Sequence, residues 1–324
     1  MNSSLCNYCT ENQIQDFLLS LHLTGTLTHS PKAELALLYG LANHAEEHYE
    51  RVLLPKKDGS KRILHVPDSV LKHVQKQILR QVLMEIPVSS YSCAYQKGSS
   101  LSQNAAPHKG QKLLLKLDIH DFFGSISYIS VYQHGFPCER IPDPVRTLLA
   151  HLCCYKDMLP QGAPASPYLS NLVMKPFDEY MGNWCREREI AYTRYCDDLT
   201  FSGDFNPKEV YRKAKGFLNR LGFEVNSRKT HIISQKNRQE VTGITVNEKL
   251  QVPKNSRRQL RQECYYIQKF GLENHLKQTG CQDSSAKYLQ RLLGKIEYVL
   301  QVNPEDMEFQ ELKKRMKVYR KNHE

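Results

Sequence analysis

Three aspartates carry the chemistry most readily suggested by this 324-residue chain: Asp118 and the adjacent pair Asp197-Asp198. The pair lies in Tyr195-Cys196-Asp197-Asp198, between β-favouring residues 191–194 and 199–202. The segment therefore reads as a hairpin with the acids at its tip. Neighbouring side chains of a regular strand point to opposite faces, so two carboxylates meant for one ion belong on a turn. An Asp-Asp turn alone is an ordinary solvated loop, and the third acid changes that. Asp118 follows the apolar run Leu113-Leu114-Leu115-Lys116-Leu117, which reads as a buried central strand delivering a carboxylate at its C-terminal edge. Carboxylates from two strands make a hard-oxygen site suited to Mg²⁺, which binds through one or two carboxylates plus substrate phosphates. Two such ions clamp the attacking and leaving oxygens of a phosphoryl displacement, so the pattern points to nucleotidyl transfer.

The elements that must position these acids show as changes of period. Residues 11–48 have apolar residues at helical spacing, as in Phe17-Leu18-Leu19 and Leu35-Ala36-Leu37-Leu38. Residues 49–55 and 62–66 read as two strands, joined by the basic turn Lys56-Lys57-Asp58-Gly59-Ser60-Lys61 with its Asp-Gly hairpin signal. Residues 71–86 read as a helix with Leu71, Val74, Ile78 and Leu79 inward and Lys72, Lys76 and Arg80 outward. The polar, Gly/Ser-rich residues 91–111 read as a surface loop. There, Asn104 and His108 have the chemistry of local turn caps. In Leu159-Pro160-Gln161-Gly162-Ala163-Pro164, the glycine and prolines fix a tight backbone able to approach a nucleotide closely. Gln161 offers a neutral amide to phosphate or sugar oxygens. A helix is expected from about Pro167. Beyond Val246, a turn at Asn247-Glu248 and a strand-like piece to Pro253 lead into helical residues 254–324. The class is α/β (α+β).

Lys and Arg total 45 against 34 Asp and Glu, a net charge of +11 that favours a polyanionic partner. No apolar run of about 18 residues suggests a membrane span. The N-terminus lacks the pattern of a secretory signal, so a cytoplasmic location is expected. The ten cysteines follow no disulfide framework. Cys6 and Cys9 have Cys-x-x-Cys spacing without a second pair for zinc, so the thiols read as reduced and structural.

Read in order, Leu117-Asp118-Ile119-His120-Asp121-Phe122-Phe123, the segment from Leu159 to Pro167, and Tyr195-Cys196-Asp197-Asp198 resemble motifs A, B and C of reverse transcriptases. Asn226-Ser227-Arg228-Lys229-Thr230 resembles motif D. Asn104-Ala105-Ala106-Pro107-His108 and Val241-Thr242-Gly243 resemble two signatures of bacterial retron reverse transcriptases. The resemblance spans roughly residues 50–250. It implies a right-hand polymerase, with an N-terminal helical segment (1–48), fingers (49–112), palm (113–250) and helical thumb (251–324).

The same resemblance implies site roles. Asp118 and Asp197 would be the principal metal ligands, helped by Asp198 and the carbonyl of Ile119, for two Mg²⁺ ions with Mn²⁺ as a substitute. Lys56 and Arg62 of the fingers hairpin would meet the triphosphate, and Gln161 and Gly162 would contact the nucleotide. Phe123 is either a steric gate against the 2′-hydroxyl or a core aromatic. Lys229 is a general acid for pyrophosphate, a purely electrostatic partner, or a solvated lysine. Asn104, His108, Val241, Thr242 and Gly243 are implicated in nucleic-acid binding, as are Lys254, Arg257, Arg258 and Arg261 on the first thumb helix. Tyr265 and Tyr266 have the chemistry to stack on bases, although burial in the helical bundle is the expectation. The middle residue of motif C is Cys196, where retron enzymes more often carry alanine.

The implied activity is RNA-directed DNA synthesis from dNTPs. The chain would copy part of its own structured noncoding RNA into multicopy single-stranded DNA, primed from a guanosine 2′-hydroxyl. A role in antiphage defence beside a separate effector protein is also implied. The length leaves no room for an RNase H or maturase-like extension. Two alternatives stand: another type of bacterial reverse transcriptase, and a silent RNA-binding scaffold that restrains an effector.

Overall fold

Short polar caps and prolines set where the first helices begin. In this computed structural model, which describes residues 9–56 and 59–321, Thr10 and Gln13 form a capping box at α1 (Glu11–Ser20). Ser30 caps α2 (Pro31–Asn43), whose first residue is a proline. The antiparallel hairpin β1 (Tyr49–Pro55) and β2 (Lys61–Pro67) follows, with Leu54 opposite Arg62. Cys6 and the turn residues Lys57 and Asp58 lie outside the described residues. Asp68 caps α3 (Ser69–Gln81), and Ser100 caps α4 (Leu101–Ala105) ahead of the long strand β3 (Leu113–His120). Next come α5 (Tyr128–Ser130), α6 (Asp143–Cys153) and the 21-residue α7 (Ser166–Arg186). β4 (Ala191–Tyr195) and β5 (Asp198–Gly203) are separated by a tight turn, and α8 (Pro207–Arg220) leads to β6 (Glu224–Val225) and β7 (His231–Ser234). A small hairpin, β8 (Glu240–Val241) and β9 (Ile244–Thr245), precedes α9 (Lys254–Phe270), α10 (Leu272–Thr279), α11 (Ser285–Val302) and α12 (Met307–Lys321).

The described residues form two compact units. The first comprises those up to Ser99, with Lys116–Thr200 and Asn206–His231; the second comprises Ser100–Leu115, Phe201–Phe205 and those from Ile232 onward. The main sheet has the strand order β4-β5-β3-β6, with β7 also pairing β3. In the first unit, β3 and β6 run antiparallel with Ile119 opposite Val225. Leu117, Ile119 and Leu199 are buried, as is the α7 stripe Leu169, Leu172, Val173, Phe177 and Met181. Val210, Ala214 and Leu218 form the matching apolar stripe of α8.

The core of the second unit joins Val241, Ile244 and Val246 to Leu260, Cys264 and Ile267 of α9, with Leu292 and Ile296 of α11, and Phe309 and Met316 of α12. Full burial of such side chains contributes about 1.5–3 kcal/mol each. Among the described residues, no helix is long and apolar enough to cross a membrane, and the described cysteines are free.

Four local expectations need correction. Residues 91–111 are not simply a surface loop: Ser100 and Gln103 form a capping box that starts α4, and Ala105 enters the core. The helix expected over 71–86 ends at Gln81, followed by a short 3₁₀ turn. The strand-like piece before Pro253 is reduced to a bridge between Thr245 and Gln251. Tyr265 and Tyr266 face outward, 52% and 39% exposed, because the buried stripe of α9 is Leu260, Cys264 and Ile267.

His108 is fully buried, with its Nδ1 2.6 Å from the Ser202 hydroxyl, and burial pushes its pKa down from 6.5 to about 3. The folded chain thus keeps this imidazole neutral, while the unfolded chain protonates it below about pH 6.5. Its linkage term is absent above that pH and costs about 1.4 kcal/mol per pH unit below it, down to the folded pKa. Urea midpoints of the wild type are therefore expected to fall more steeply than those of His108→Gln between about pH 6.5 and 4.5. Parallel pH profiles for the two proteins would contradict a buried, neutral His108.

Candidate active site

Adjacency of β3 and β5 brings the acids into one neighbourhood. Ile119 N, one residue beyond Asp118, donates to Asp197 O at 3.0 Å. The turn itself depends on Cys196, which adopts φ +60°, a conformation that lets the chain reverse between β4 and β5. Pairing of β6 beside Ile119 also delivers motif D. Asn226 N donates to Asp118 O at 2.8 Å, and Asn226 Nδ2 donates to Asp118 Oδ1 at 3.1 Å. Lys229 Nζ donates to Asp118 Oδ2 at 2.8 Å. Beyond its place in motif D, the sequence carries no signal for this role of Asn226.

Negative charge exceeds what these partners neutralise. Burial raises the Asp198 pKa, and the neighbouring Asp197 and Asp118 carboxylates push it further in the same direction, while Lys116 and Lys229 oppose them. The bond to Asp118 holds the Lys229 ammonium protonated above its ordinary range. Among the described residues, no group of three His, Cys, Asp or Glu side chains is already gathered as a metal cage. The donor chemistry nevertheless fits a hard divalent cation. Its carboxylate oxygens are hard donors, with a repulsion at Asp198 that positive charge relieves. A cation drawing on Asp118 would compete with the Lys229 ammonium.

Beneath the turn lies a buried polar network that residue spacing alone does not reveal. Arg194 and Asp178 are both fully buried. Arg194 Nε donates to Asp178 Oδ1 at 2.9 Å, and Nη2 donates to Oδ2 at 2.6 Å. Nη1 donates to Cys196 O at 3.0 Å and to Asn171 Oδ1 at 3.1 Å. Tyr192 Oη donates to Asp178 Oδ1 at 2.8 Å, and Asn171 Nδ2 donates to Ala94 O at 2.7 Å. Removing one partner of such a pair costs about 3–5 kcal/mol, because the other charge is left buried. A cation in the otherwise buried strand β4, and an acid within the apolar stripe of α7, were the available signals.

The nucleotide-side candidates also have defined positions. Phe122 is buried and stacks on Phe223 with centroids 5.8 Å apart, whereas Phe123 is only half-buried. Lys56 and Arg62 are exposed toward the tip of the β1–β2 hairpin. Gly162 takes a backbone conformation that favours glycine. At φ +118°, its α-carbon packs on β2, where an added Cβ would lie 3.1 Å from His65 O and 3.3 Å from Leu64 Cβ. Next to it, His65 N donates to Gln161 O at 2.8 Å. One close approach at this glycine is thus to the hairpin backbone.

In the second unit, the two retron-like signatures meet each other. Asn104 Nδ2 donates to Thr242 Oγ1 at 3.3 Å. Asn104, His108 and Val241 are buried. They support the β8–β9 turn, where Thr242 (φ +47°) and Gly243 (φ +80°) reverse the chain and Gly243 is exposed. The cationic cluster on α9 also divides. Lys254 and Arg258 are exposed, but Arg257 lies 3.6 Å from Asp306 and Arg261 donates to Glu308 at 2.7 Å. A buried Asn or a paired Arg is indistinguishable from a surface one by composition alone.

Residues 54–246 match the family described as Reverse transcriptase (RNA-dependent DNA polymerase). The chain is 33% identical over 280 residues to the Retron Mx65 reverse transcriptase of Myxococcus xanthus, covering 81% of this chain and 63% of that protein. It thus spans less than two thirds of that relative's length. It is also 33% identical over 232 residues to the Retron Ec86 reverse transcriptase of Escherichia coli, covering 69% of this chain and 71% of that protein. Among solved structures, telomerase from Candida albicans in complex with a fragment of telomeric RNA matches with a TM-score of 0.51 at 12% identity. That match covers 84% of this chain and 63% of the telomerase chain. With the family match, it gives the protein a right-hand polymerase fold.

The Gly162 packing generates a direct test. In Gly162→Ala, the methyl group must push β2 away, so amide hydrogen exchange at His65 should accelerate at least about tenfold, equivalent to ~1.4 kcal/mol. Unchanged exchange would show that the hairpin does not depend on this contact.

Proposed function

We propose that this chain, which belongs to the retron branch of the reverse transcriptase family, copies RNA into DNA at a site centred on Asp118, Asp197 and Asp198. The observation that carries the reading is the Ile119 N to Asp197 O bond, which unites motif A with motif C. Two Mg²⁺ ions, replaceable by Mn²⁺, would supply activation of the attacking hydroxyl and neutralisation of triphosphate charge. Asp118 and Asp197 would hold them, with help from Asp198 and the Ile119 carbonyl. Lys229, kept protonated beside Asp118, is suited to meet developing charge on the leaving pyrophosphate, by proton donation or by field alone.

Around that centre, the half-buried ring of Phe123 would exclude a 2′-hydroxyl and so select deoxynucleotides. The exposed Arg62 can fork onto phosphate oxygens, while Lys56 acts as a point charge. Gln161 would contribute its side-chain amide to the incoming dNTP. Lys254 and Arg258 give α9 a phosphate-directed face whose affinity should fall with salt. In this reading, residues 49–112 are fingers, 113–250 palm and 251–324 thumb.

The signatures at Asn104–His108 and Val241–Gly243, together with the names of the two relatives, support a finer reading. The template would be a structured noncoding RNA, and priming would use a guanosine 2′-hydroxyl. The product would be multicopy single-stranded DNA joined to RNA, made in the cytoplasm. A contribution to antiphage defence with a separate effector protein belongs to the same proposal.

Primer extension on an RNA template with Mg²⁺ tests the activity. Asp197→Asn keeps the side-chain shape but loses the charge. It should reduce synthesis by about a thousandfold, or ~4 kcal/mol of barrier, with unchanged thermal midpoint and RNA affinity. Near-wild-type synthesis by this variant would refute the assignment of Asp197. Phe123→Ala should lower the dNTP-over-rNTP ratio of kcat/KM by roughly 10- to 100-fold, in line with 1–3 kcal/mol for one steric contact. An unaltered ratio would return Phe123 to a packing role.

A further inference from the structure

We infer that Arg194, clamped by Asp178, is the positioning residue of the Cys196-Asp197 turn that leads into Asp198. Two peptide planes flank the Asp197 α-carbon, and each is fixed by its own hydrogen bond. The carbonyl of the preceding peptide, Cys196 O, accepts from Arg194 Nη1 at 3.0 Å. That of the following peptide, Asp197 O, accepts from Ile119 N at 3.0 Å. With both planes held, the backbone torsions at Asp197 are set, and so is the direction in which its carboxylate leaves the chain. The first plane needs outside support because Cys196 adopts φ +60°, which residues with a β-carbon disfavour.

The guanidinium is aimed at this task by its other partners. Asp178 takes Nε and Nη2, so Nη1 is directed toward the turn and toward Asn171. Asn171 is itself fixed by Ser92 Oγ, which donates to its Oδ1 at 2.9 Å, and by the Ala94 carbonyl. Tyr192 Oη completes the acceptor side of Asp178. Tyr95 Oη also lies 2.9 Å from Cys196 Sγ, so the turn residue is held through side chain as well as carbonyl. A stabilising ion pair alone has no need of a third bond to a catalytic turn. Arginine also supplies planar, divergent donors that a lysine ammonium cannot reproduce.

The inference rests on the proposed polymerase reading, so its test pairs an activity readout with one that needs no activity. The full chain, Arg194→Lys, and the double variant Arg194→Met/Asp178→Leu are compared. The last replaces the buried pair by apolar groups, which proteins often tolerate without loss of stability. Mn²⁺ binding is followed by electron paramagnetic resonance, and extension of oligo(dT) on poly(rA) gives kcat and KM for dTTP. In variants that keep the wild-type thermal midpoint, Mn²⁺ affinity and kcat should each fall about 10- to 100-fold, the range typical of lost support to metal ligands. KM for dTTP and primer–template affinity should stay within about twofold, because the fold and binding surfaces persist.

Folded variants with wild-type Mn²⁺ affinity and kcat would overturn the inference. Should neither Arg194 variant fold, Cys196→Val decides it, since it leaves the ion pair intact and forces a β-branched residue into the left-handed turn. The same losses in Cys196→Val support positioning through the turn, and wild-type values overturn it. A wild-type chain that binds Mn²⁺ but extends no primer would defeat the functional reading, and the Mn²⁺ comparison would still judge Arg194.

Discussion

The backbone hydrogen bond from Ile119 N to Asp197 O, 3.0 Å long, ties the strand that ends in Asp118 to the turn that carries Asp197 and Asp198. Everything assigned to this site depends on that junction. If β3 slipped by one residue, Asp118 would turn to the opposite face of the sheet and the three acids would no longer share a neighbourhood. Register is protected from both sides. The apolar alternatives at Leu117 and Ile119 are buried, and β6 fixes Ile119 opposite Val225. The cost of gathering like charges is thereby carried by packing and backbone bonding, not by any attraction among the acids.

That gathering leaves an electrostatic imbalance with a chemical use. Burial and the neighbouring carboxylates resist ionisation of Asp198, and Lys229 is drawn onto Asp118. A site with hard oxygen donors and surplus negative charge suits divalent cations, and in the proposed reaction the same lysine would meet the triphosphate. The β1–β2 hairpin is joined to motif B by His65 N to Gln161 O and by the packing of Gly162 on β2. Motif B thus links local backbone geometry to placement of the cations Lys56 and Arg62.

Much of this was legible in the sequence because the signals were periodic or local. The apolar run before Asp118 predicts β3, the β-favouring flanks of Asp197-Asp198 predict the hairpin, and Phe122-Phe123 requires one inward ring, which is Phe122. What escaped was polar burial. Asn104 and His108 lie in a stretch whose composition reads as loop, yet a capping box starts a helix there and both side chains turn inward. Arg194 and Asp178 are separated by enough chain that only the tertiary fold reveals their pairing. Gly162 reads as a close-approach glycine, and its approach to the backbone of β2 is a tertiary contact that local spacing does not reveal. The outward-facing Tyr265 and Tyr266 escaped because three well-spaced residues, Leu260, Cys264 and Ile267, already satisfy the buried face of α9.

The central claim is that Asp118 and Asp197 jointly bind the catalytic cations. The most direct measurement is anomalous diffraction from crystals of the full chain soaked with Mn²⁺ and a nonhydrolysable dTTP analogue. The expected result is manganese density coordinated by both Asp118 and Asp197, with Lys229 Nζ drawn off Asp118. Nucleotide bound without manganese at those carboxylates, or manganese held by other residues, would contradict it.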